Sequence, residues 1–494
     1  MARANLGGAV AACVDPAAIA LIDIGHGAPR SFRYADIERL SNALARGLLR
    51  RGLRRGERVA ILAANSAEYL IAFLGTMRAG FVSVPLNYKL PAATVNFVVE
   101  DADARLVLCD SARQPLLHPD VPRIVIDDAF TSLLDDGDFD TVQADSGEPA
   151  MFLYTSGSTG RPKGVVLSHQ SHLWVLEQRA NPAPPPGQRV LVAAPLYHMN
   201  ALSVCQSTLN TGGTIVLLPS FNAPAYIDAA SRYRVHALTA VPTMIAMMLR
   251  EDAAMASADL SSVQSLRVGS APLSEQLIGQ MRQALPYARI VHGYGTTEAG
   301  PIVFGPHPDG LGRTPLSPGV AHPSVELRLW RDGAVVTDGG VLEMRCPAVM
   351  NGYHKLPDAT RKVLTADGYY ITGDVFRRDA DGFFFFIGRA DDMFVCGGEN
   401  IYPGEVEKML ERHPAVHQVC VVPLPDELKA YKPVAFVVPQ AGAKVCEDDI
   451  RQFALANAPA YQHPRRVWFL DELPLAGTNK IDRKRLAEQA ATLA

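Results

Sequence analysis

Eleven consecutive residues, Tyr154-Thr155-Ser156-Gly157-Ser158-Thr159-Gly160-Arg161-Pro162-Lys163-Gly164, gather hydroxyls, glycines and cations at one point of the chain. Glycines let backbone N–H groups turn toward a common centre with no Cβ in the way. Thr155, Ser156, Ser158 and Thr159 add hydroxyl donors, and Lys163 adds positive charge. Such a segment is a cradle for phosphate oxygens. It is not the Walker pattern, which ends in Gly-Lys-Ser/Thr and opens directly into a helix. Here Pro162 precedes the lysine, and Val165-Val166-Leu167 continues apolar and extended. The glycines alone would equally make a flexible polar turn; the whole segment favours the cradle.

Other short segments are polar where a plain core would not be. Gly269-Ser270-Ala271-Pro272-Leu273 ends an apolar run with small residues, and a strand end of that kind can admit a flat ring. His292-Gly293-Tyr294-Gly295-Thr296-Thr297-Glu298 combines an aromatic face, hydroxyls and a carboxylate suited to Mg²⁺, a hard cation that prefers oxygen. Tyr370-Ile371-Thr372-Gly373-Asp374 puts an acid where it can accept both hydroxyls of a ribose. Read singly, each of these is equally a satisfied turn.

The elements that must position these groups alternate. Ile37, Leu40, Leu44, Leu48 and Leu49 share one face of a helix over 33–53. Strands at 58–62, 81–86 and 105–109 alternate with helices at 67–77 and 93–101. After the loop come strands at 189–194, 214–218, 236–240, 264–269 and 289–293. Helices at 169–179, 200–211, 223–233, 243–250 and 274–284 separate them. This alternation predicts crossover units and a mainly parallel α/β sheet. Residues 181–187 form an irregular connection. From about 310 Gly and Pro become frequent, and strands such as Val325–Trp330 and Val341–Arg345 predict a small β-rich subdomain. From about 392, helices at 404–412, 447–457 and 482–492 mix with strands at 417–422, 434–438 and 466–469 into a compact α+β unit. The charged junction Gly388-Arg389-Ala390-Asp391-Asp392 marks a hinge. The expected domains are therefore 1–390 and 391–494.

A net charge of -4 over 494 residues argues against nucleic acid or an anionic membrane as the main partner. The cysteines at 13, 109, 205, 346, 396, 420 and 446 are scattered, odd in number and without a CxxC, which fits a reducing cytoplasm. No basic-then-apolar leader opens the chain, and no apolar stretch reaches membrane-spanning length.

Taken in order, these segments resemble the adenylate-forming superfamily of acyl- and aryl-CoA synthetases, luciferases and peptide-synthetase adenylation domains. The resemblance rests on Tyr154–Gly164, Pro195-Leu196-Tyr197-His198, Gly269–Leu273, Tyr294–Glu298, Tyr370–Asp374, Gly388–Phe394, Gly397-Gly398-Glu399-Asn400-Ile401-Tyr402-Pro403 and Lys480. Among branches, the chain is most similar to bacterial aryl-CoA ligases of the 4-chlorobenzoate type. The resemblance implies two half-reactions. A carboxylate attacks the α-phosphate of ATP, giving acyl-AMP and pyrophosphate, and the thiol of CoA then displaces AMP.

It also implies roles. Thr155, Ser156, Gly157, Ser158, Thr159, Gly160 and Lys163 grip the β- and γ-phosphates. Ser270, Ala271, Pro272, Leu273, Gly293, Tyr294, Gly295, Thr296 and Thr297 surround the adenine and its phosphates. Asp374 and Arg389 hold the ribose, Glu298 with Thr155 holds Mg²⁺, and Lys480 bridges the carboxylate and α-phosphate. His198 gates the acyl pocket and orients the carboxylate. That pocket is lined by Trp174, His198, Met199, Asn200, Val241, Gly269, Gly295, Ala299, Gly300 and Val303. None of these positions is Lys or Arg, so a second substrate carboxylate would be buried unpaired. An aromatic or short-to-medium monocarboxylic acid is expected and a malonate-like diacid disfavoured, with Asn200, Ser203 or Gln206 available to a ring hydroxyl. Rotation at Asp391 exchanges Lys480 for Gly397, Gly398 and Glu399, which line a pantetheine channel. Lys89 and Arg466 meet the CoA nucleotide; relatives often carry Arg where Lys89 stands. The expected partners are thus a carboxylic acid, ATP and CoA, with a homodimer open as an assembly. Loading of a free-standing carrier protein and a non-catalytic nucleotide-binding regulator are the alternatives.

Overall fold

The computed structural model describes residues 4–10, 14–25, 27–156, 161–179, 187–271, 273–396, 398–476 and 480–493, with the backbone only at 127, 128 and 156. Two seven-stranded sheets carry the larger part of the chain. One runs in the order Arg289–Gly293, Ser265–Gly269, Ala237–Ala240, Arg189–Val192, Thr214–Leu217, Ile19–Asp23, Arg30–Arg33. Its neighbours are parallel except for the last, antiparallel pair. The other runs Gly352–Tyr353, Pro162–Ser168, Pro149–Ser156, Val82–Pro85, Arg58–Leu62, Ala104–Cys109, Arg123–Val125. It is parallel apart from the two antiparallel pairs at its Gly352 edge.

The predicted alternation is what folds. Val59 to Leu62 and Val82 to Pro85 are buried at every position, as strands covered by helices on both faces must be. Helix Tyr34–Arg50 buries Ile37, Ser41, Leu44 and Leu48 at helical spacing and ends at Arg51, before Gly52, whose φ of +80° an L-residue rarely adopts. Helix Ala67–Arg78 starts where Ser66 Oγ accepts from Tyr69 N, and all its residues but Glu68 are buried. The strands Ile19–Asp23 and Arg30–Arg33 have no counterpart in the sequence reading; the polar, alternately exposed edge segment Arg-Ser-Phe-Arg carries little apolar signal. The strands flanking the phosphate loop run further than their apolar cores. Pro149–Ser156 and Pro162–Ser168 pair antiparallel, with Thr155 opposite Lys163 at the loop's mouth.

The β-rich subdomain is a five-stranded antiparallel sheet ordered Ala334–Val336, Glu326–Arg331, Gly339–Arg345, Tyr370–Arg378, Phe384–Arg389. The last pair sets Asp374 directly opposite Arg389. The C-terminal sheet joins Glu399–Ile401, Phe394–Cys396, Ala430–Pro439 and Val416–Asp426, with Val467–Phe469 parallel to the third of these. Separate apolar clusters cover its two faces. Helix Arg483–Leu493 is tied down by Arg483, whose guanidinium makes two bonds to Glu407 at 2.5 and 2.6 Å. Among the described residues no helix is long and apolar enough to cross a membrane.

Glu411 follows helix Pro403–Leu410, and burial, with the charge of Glu407 next, pushes its pKa up to about 8. A carboxyl raised in the folded state holds its proton longer there than in the unfolded chain. Its stability contribution is therefore intact below the ordinary carboxyl range and is lost as pH rises toward 8. Glu411→Gln removes that slope. Its thermal midpoint should exceed that of the parent by a margin that widens between pH 5 and 8, measured by calorimetry.

Candidate active site

Parallel neighbours Ser265–Gly269 and Arg289–Gly293 end together, with Gly269 opposite Gly293. A Cβ on Gly269 would lie 2.7 Å from the Gly293 carbonyl oxygen, so the close approach of the two strand ends requires glycine. Ser270 then turns left-handed, at φ +67°. Ala271 and the buried Leu273 follow, while Pro272 lies outside the described residues. Gly295 is held against Pro301, and Thr296 pairs with Gly300 in an isolated bridge that turns Thr297 and Glu298 back over the sheet.

Tyr294 packs edge-on against Phe376 and donates from its hydroxyl to Asp374 Oδ2 at 2.5 Å. Arg389 donates to the other oxygen, Oδ1, at 3.0 Å, and also reaches Asp391 Oδ2 at 3.0 Å. Gly373, at φ +71°, leaves room for this guanidinium: a Cβ there would sit 2.9 Å from Arg389 Nη2. Burial pushes the Asp374 carboxyl up, while Arg389 opposes that shift. Residues 294, 374 and 389 thus form one hydrogen-bonded chain beside the ends of strands Ser265–Gly269 and Arg289–Gly293. Asp374→Ala would leave Arg389 without its buried partner and, on the expectation that Asp374 holds a ribose, remove the acceptors for it. We expect the KM for ATP to rise at least about tenfold, the cost of one charge-assisted hydrogen bond, with a smaller change for the acid; steady-state kinetics checks it.

On the phosphate side, Lys163 Nζ stands 5.3 Å from the centre of the Tyr353 ring, and the Tyr353 hydroxyl donates to Glu298 Oε1 at 3.0 Å. Burial raises the Glu298 pKa above the ordinary carboxyl value, with Tyr353 and Tyr370 pulling the other way. Lys163, Tyr353 and Glu298 therefore make one wall facing the loop mouth. Gly157, Ser158, Thr159 and Gly160 lie outside the described residues, as does the side chain of Ser156. Among the described residues no three His, Cys, Asp or Glu side chains gather as a self-sufficient metal cage. One carboxylate with neighbouring hydroxyls fits a magnesium ion, which takes most of its oxygens from water and phosphates.

The third wall starts at His198, the cap of helix Met199–Thr211. His198 Nε2 is buried with no hydrogen-bond partner among the described residues. Burial, then the charges of Lys480 and Lys89, lower its pKa to about 4, so the ring is neutral near pH 7. Lys480 comes to the same place from the far end of the chain. Protein atoms around the ammonium lower its pKa, although the residue as a whole is exposed; Asp374 raises it and Arg389 lowers it further. The fold thus assembles His198, Asp374, Arg389 and Lys480, with Lys89 beside them. Gly398, Glu399 and the exposed Arg466 are joined to this group by no hydrogen bond or ion pair among the described residues, and Gly397 lies outside them.

Of the acyl lining, Met199, Ala299 and Val303 are buried in the central apolar cluster, with Trp174 packed partly against it. Asn200 is half-buried, and Gly300, at φ +79°, faces Ala348 so closely that a Cβ would come within 2.8 Å. Val241 belongs instead to the cluster on the other side of the first sheet. Tyr353 was not foreseen, because a two-residue edge strand pairing Tyr353 with Val165 brings it in from 55 positions beyond Glu298. It also left aside Arg179 and Arg267, although a charge between Leu266 and Val268 in an apolar strand was a visible signal.

Comparison with known proteins places this geometry. The "AMP-binding enzyme" family model matches residues 9–354, and the "AMP-binding enzyme C-terminal domain" model matches 405–480. Feruloyl-CoA synthase of Amycolatopsis sp is 36% identical over 469 residues, spanning 91% of this chain and 92% of that protein. 4-Coumarate-CoA ligase 1 of Narcissus pseudonarcissus is 29% identical over 489 residues, spanning 94% of this chain and 89% of that protein. The solved structure of an anthranilate CoA ligase in complex with anthranoyl-AMP superposes with a TM-score of 0.88 at 25% identity, covering 99% of this chain and 97% of that one.

Proposed function

The chain belongs to the AMP-binding enzyme family, and from that premise we propose that its site ligates an aryl carboxylic acid to CoA through an acyl-AMP. The observation that carries this reading is that the charge of Lys480 acts both on His198, whose Nε2 has no partner among the described residues, and on Asp374, which Arg389 bonds. Attack of a carboxylate on a polyphosphate joins two anions, so charge neutralisation and alignment matter more than proton transfer. Lys480 supplies a cation between the carboxylate and the α-phosphate. Neutral His198 can donate from Nε2 to the carboxylate without adding charge.

Ala271, Leu273 and Tyr294 flank the adenine, and Asp374 with Arg389 holds the ribose. Thr155 and Lys163, with the loop between them, hold the β- and γ-phosphates as the leaving group. Glu298, with the Thr155 hydroxyl, would hold a magnesium ion, which when bound supplies further neutralisation of the phosphates. The second half-reaction needs a thiol where Lys480 stands. We therefore assign residues 1–390 and 391–494 to two units that turn about Asp391, bringing Gly397, Gly398 and Glu399 to a pantetheine channel, with Lys89 and Arg466 toward the CoA nucleotide. The described cysteines are all free thiols, which supports a cytoplasmic setting.

The acid is read as aromatic because a feruloyl-CoA synthase and a 4-coumarate-CoA ligase are similar in sequence over most of the chain, because an anthranilate CoA ligase shares its fold, and because the lining is apolar around Met199, Ala299 and Val303. A panel of aromatic, aliphatic and dicarboxylic acids, scored by CoA-dependent AMP release, tests the reading. Benzoate- or cinnamate-sized acids should lead. Release of AMP with none of them, or only when an acyl-carrier protein replaces CoA, would overturn it.

A further inference from the structure

The two helices beside the acyl wall carry buried polar groups that the chemistry above does not use. Helix His169–Arg179 ends on Arg179, whose Nη1 donates to Ser203 Oγ at 3.0 Å on the facing helix Met199–Thr211. Arg179 Nε is out of solvent and has no hydrogen-bond partner among the described residues. The same holds for His172 Nε2 on the first helix and Gln206 Nε2 on the second, both fully buried residues. His172 stands two turns before Arg179 on the same helix face, and Gln206 lies one turn beyond Ser203. Arg267 joins them from the sheet. Leu266 and Val268 point into the cluster on one side, so Arg267 takes the other side with Gly269, an acyl-lining position. Its Nη1 comes within 3.5 Å of where a Gly293 side chain would begin.

No carboxylate acts on either guanidinium among the described residues. Burial first and then the charge of Arg267 bring the Arg179 pKa down to about 9, and burial and two further arginines, Arg289 and Arg313, lower that of Arg267. Both arginines are half-buried, and charge of one sign drawn partly out of water with no counter-ion is costly. A bound anion would remove that cost. Ser203 lies five residues along the helix from His198, about 7.5 Å at 1.5 Å per residue, a span comparable with an aryl acid measured from its carboxylate to the far edge of its ring.

We propose that Arg179, Arg267, Ser203 and Gln206 form a distal oxyanion subsite, so that the preferred acid carries an anionic oxygen opposite its reacting carboxylate, as an ionised phenol or a second carboxylate. This rests on the ligase reading and narrows it. The sequence-based argument against a second anionic group counted only lining positions. Arg179 sits at a helix end, and Arg267 lies between Leu266 and Val268 in a strand.

The test uses four acids of one shape: cinnamate, 4-hydroxycinnamate, 4-methoxycinnamate and 4-carboxycinnamate, followed by acid-dependent ATP–pyrophosphate exchange. The hydroxy or the carboxy acid should exceed cinnamate in kcat/KM at least tenfold while the methyl ether does not; the leading acid identifies the source of the anion. If the phenol leads, it should bind as phenolate, with absorbance shifted to longer wavelength at a pH where the free phenol is neutral. Arg179→Met should lower the preference at least tenfold, and Arg179→Lys should retain part of it. Equal kcat/KM for all four acids, or a preference that Arg179→Met leaves unchanged, overturns the subsite. The wild-type preference alone decides should the variant fail to fold. Exchange with no acid at all overturns the ligase reading and the subsite with it, whereas exchange without discrimination overturns only the subsite.

Discussion

Lys480→Ala should slow acyl-AMP formation by about two to three orders of magnitude, the usual cost of removing one preorganised donor from a developing charge. Thioester formation from supplied acyl-AMP and CoA should be largely spared. The asymmetry follows from placement. Lys480 reaches the group made by His198, Asp374 and Arg389 only as part of the C-terminal unit, and the proposed turn at Asp391 removes it before the thiol attacks. Single-turnover measurement of the two half-reactions separates them; equal loss in both would refute the assigned role. A pH profile adds an independent readout. Because the Lys480 pKa is lowered, its ammonium loses its proton below the ordinary lysine range. The alkaline limb of kcat/KM, which reports the free enzyme, should therefore fall earlier than an exposed lysine would allow, and Lys480→Arg should push that limb upward.

Glu298→Gln should cost about a hundredfold in adenylation and weaken the dependence on magnesium, because it removes one negative charge while keeping the shape and the hydrogen bond from Tyr353. Stability should move the other way. Burial holds the Glu298 carboxyl above its ordinary pKa, so the folded protein loses stability as pH rises through that raised value. The amide has no proton to lose. At pH 8 the variant should melt at or above the temperature of the parent while being nearly inactive in pyrophosphate exchange. A variant with parental exchange activity would remove Glu298 from the chemistry. A variant that melts far below the parent would make its role structural.

What could be read in advance depended on how local each feature's physics is. The phosphate cradle is legible because glycines, hydroxyls and lysine are adjacent in sequence. The helices and buried strands were legible because Ile37, Leu44 and Leu48, or Val59 to Leu62, repeat at the period of their element. Asp374 could be singled out as an acid at a strand end, but not its bond to Tyr294, which depends on two sheets meeting 80 residues apart. Arg389 falls opposite Asp374 only through hairpin register. Tyr353 and the edge strand Arg30–Arg33 were not legible. Short edge pairing is decided by the sheet already in place, and Arg30 to Arg33 carries little apolar pattern. Arg267 was readable as a charge between Leu266 and Val268, whereas Arg179, after Glu177 and Gln178, reads as an ordinary polar helix end; no local feature pairs residues that come together through Ser203 and the strand face beside Gly293.

The most direct test of the account follows one oxygen atom. An aryl acid labelled with ¹⁸O in its carboxylate is turned over with ATP and CoA, and the products are examined by mass spectrometry. Attack on the α-phosphate followed by displacement at the carbonyl leaves one labelled oxygen on AMP, with unlabelled pyrophosphate. Label in inorganic phosphate alongside ADP, or no label in any phosphate product, would contradict an acyl-AMP route.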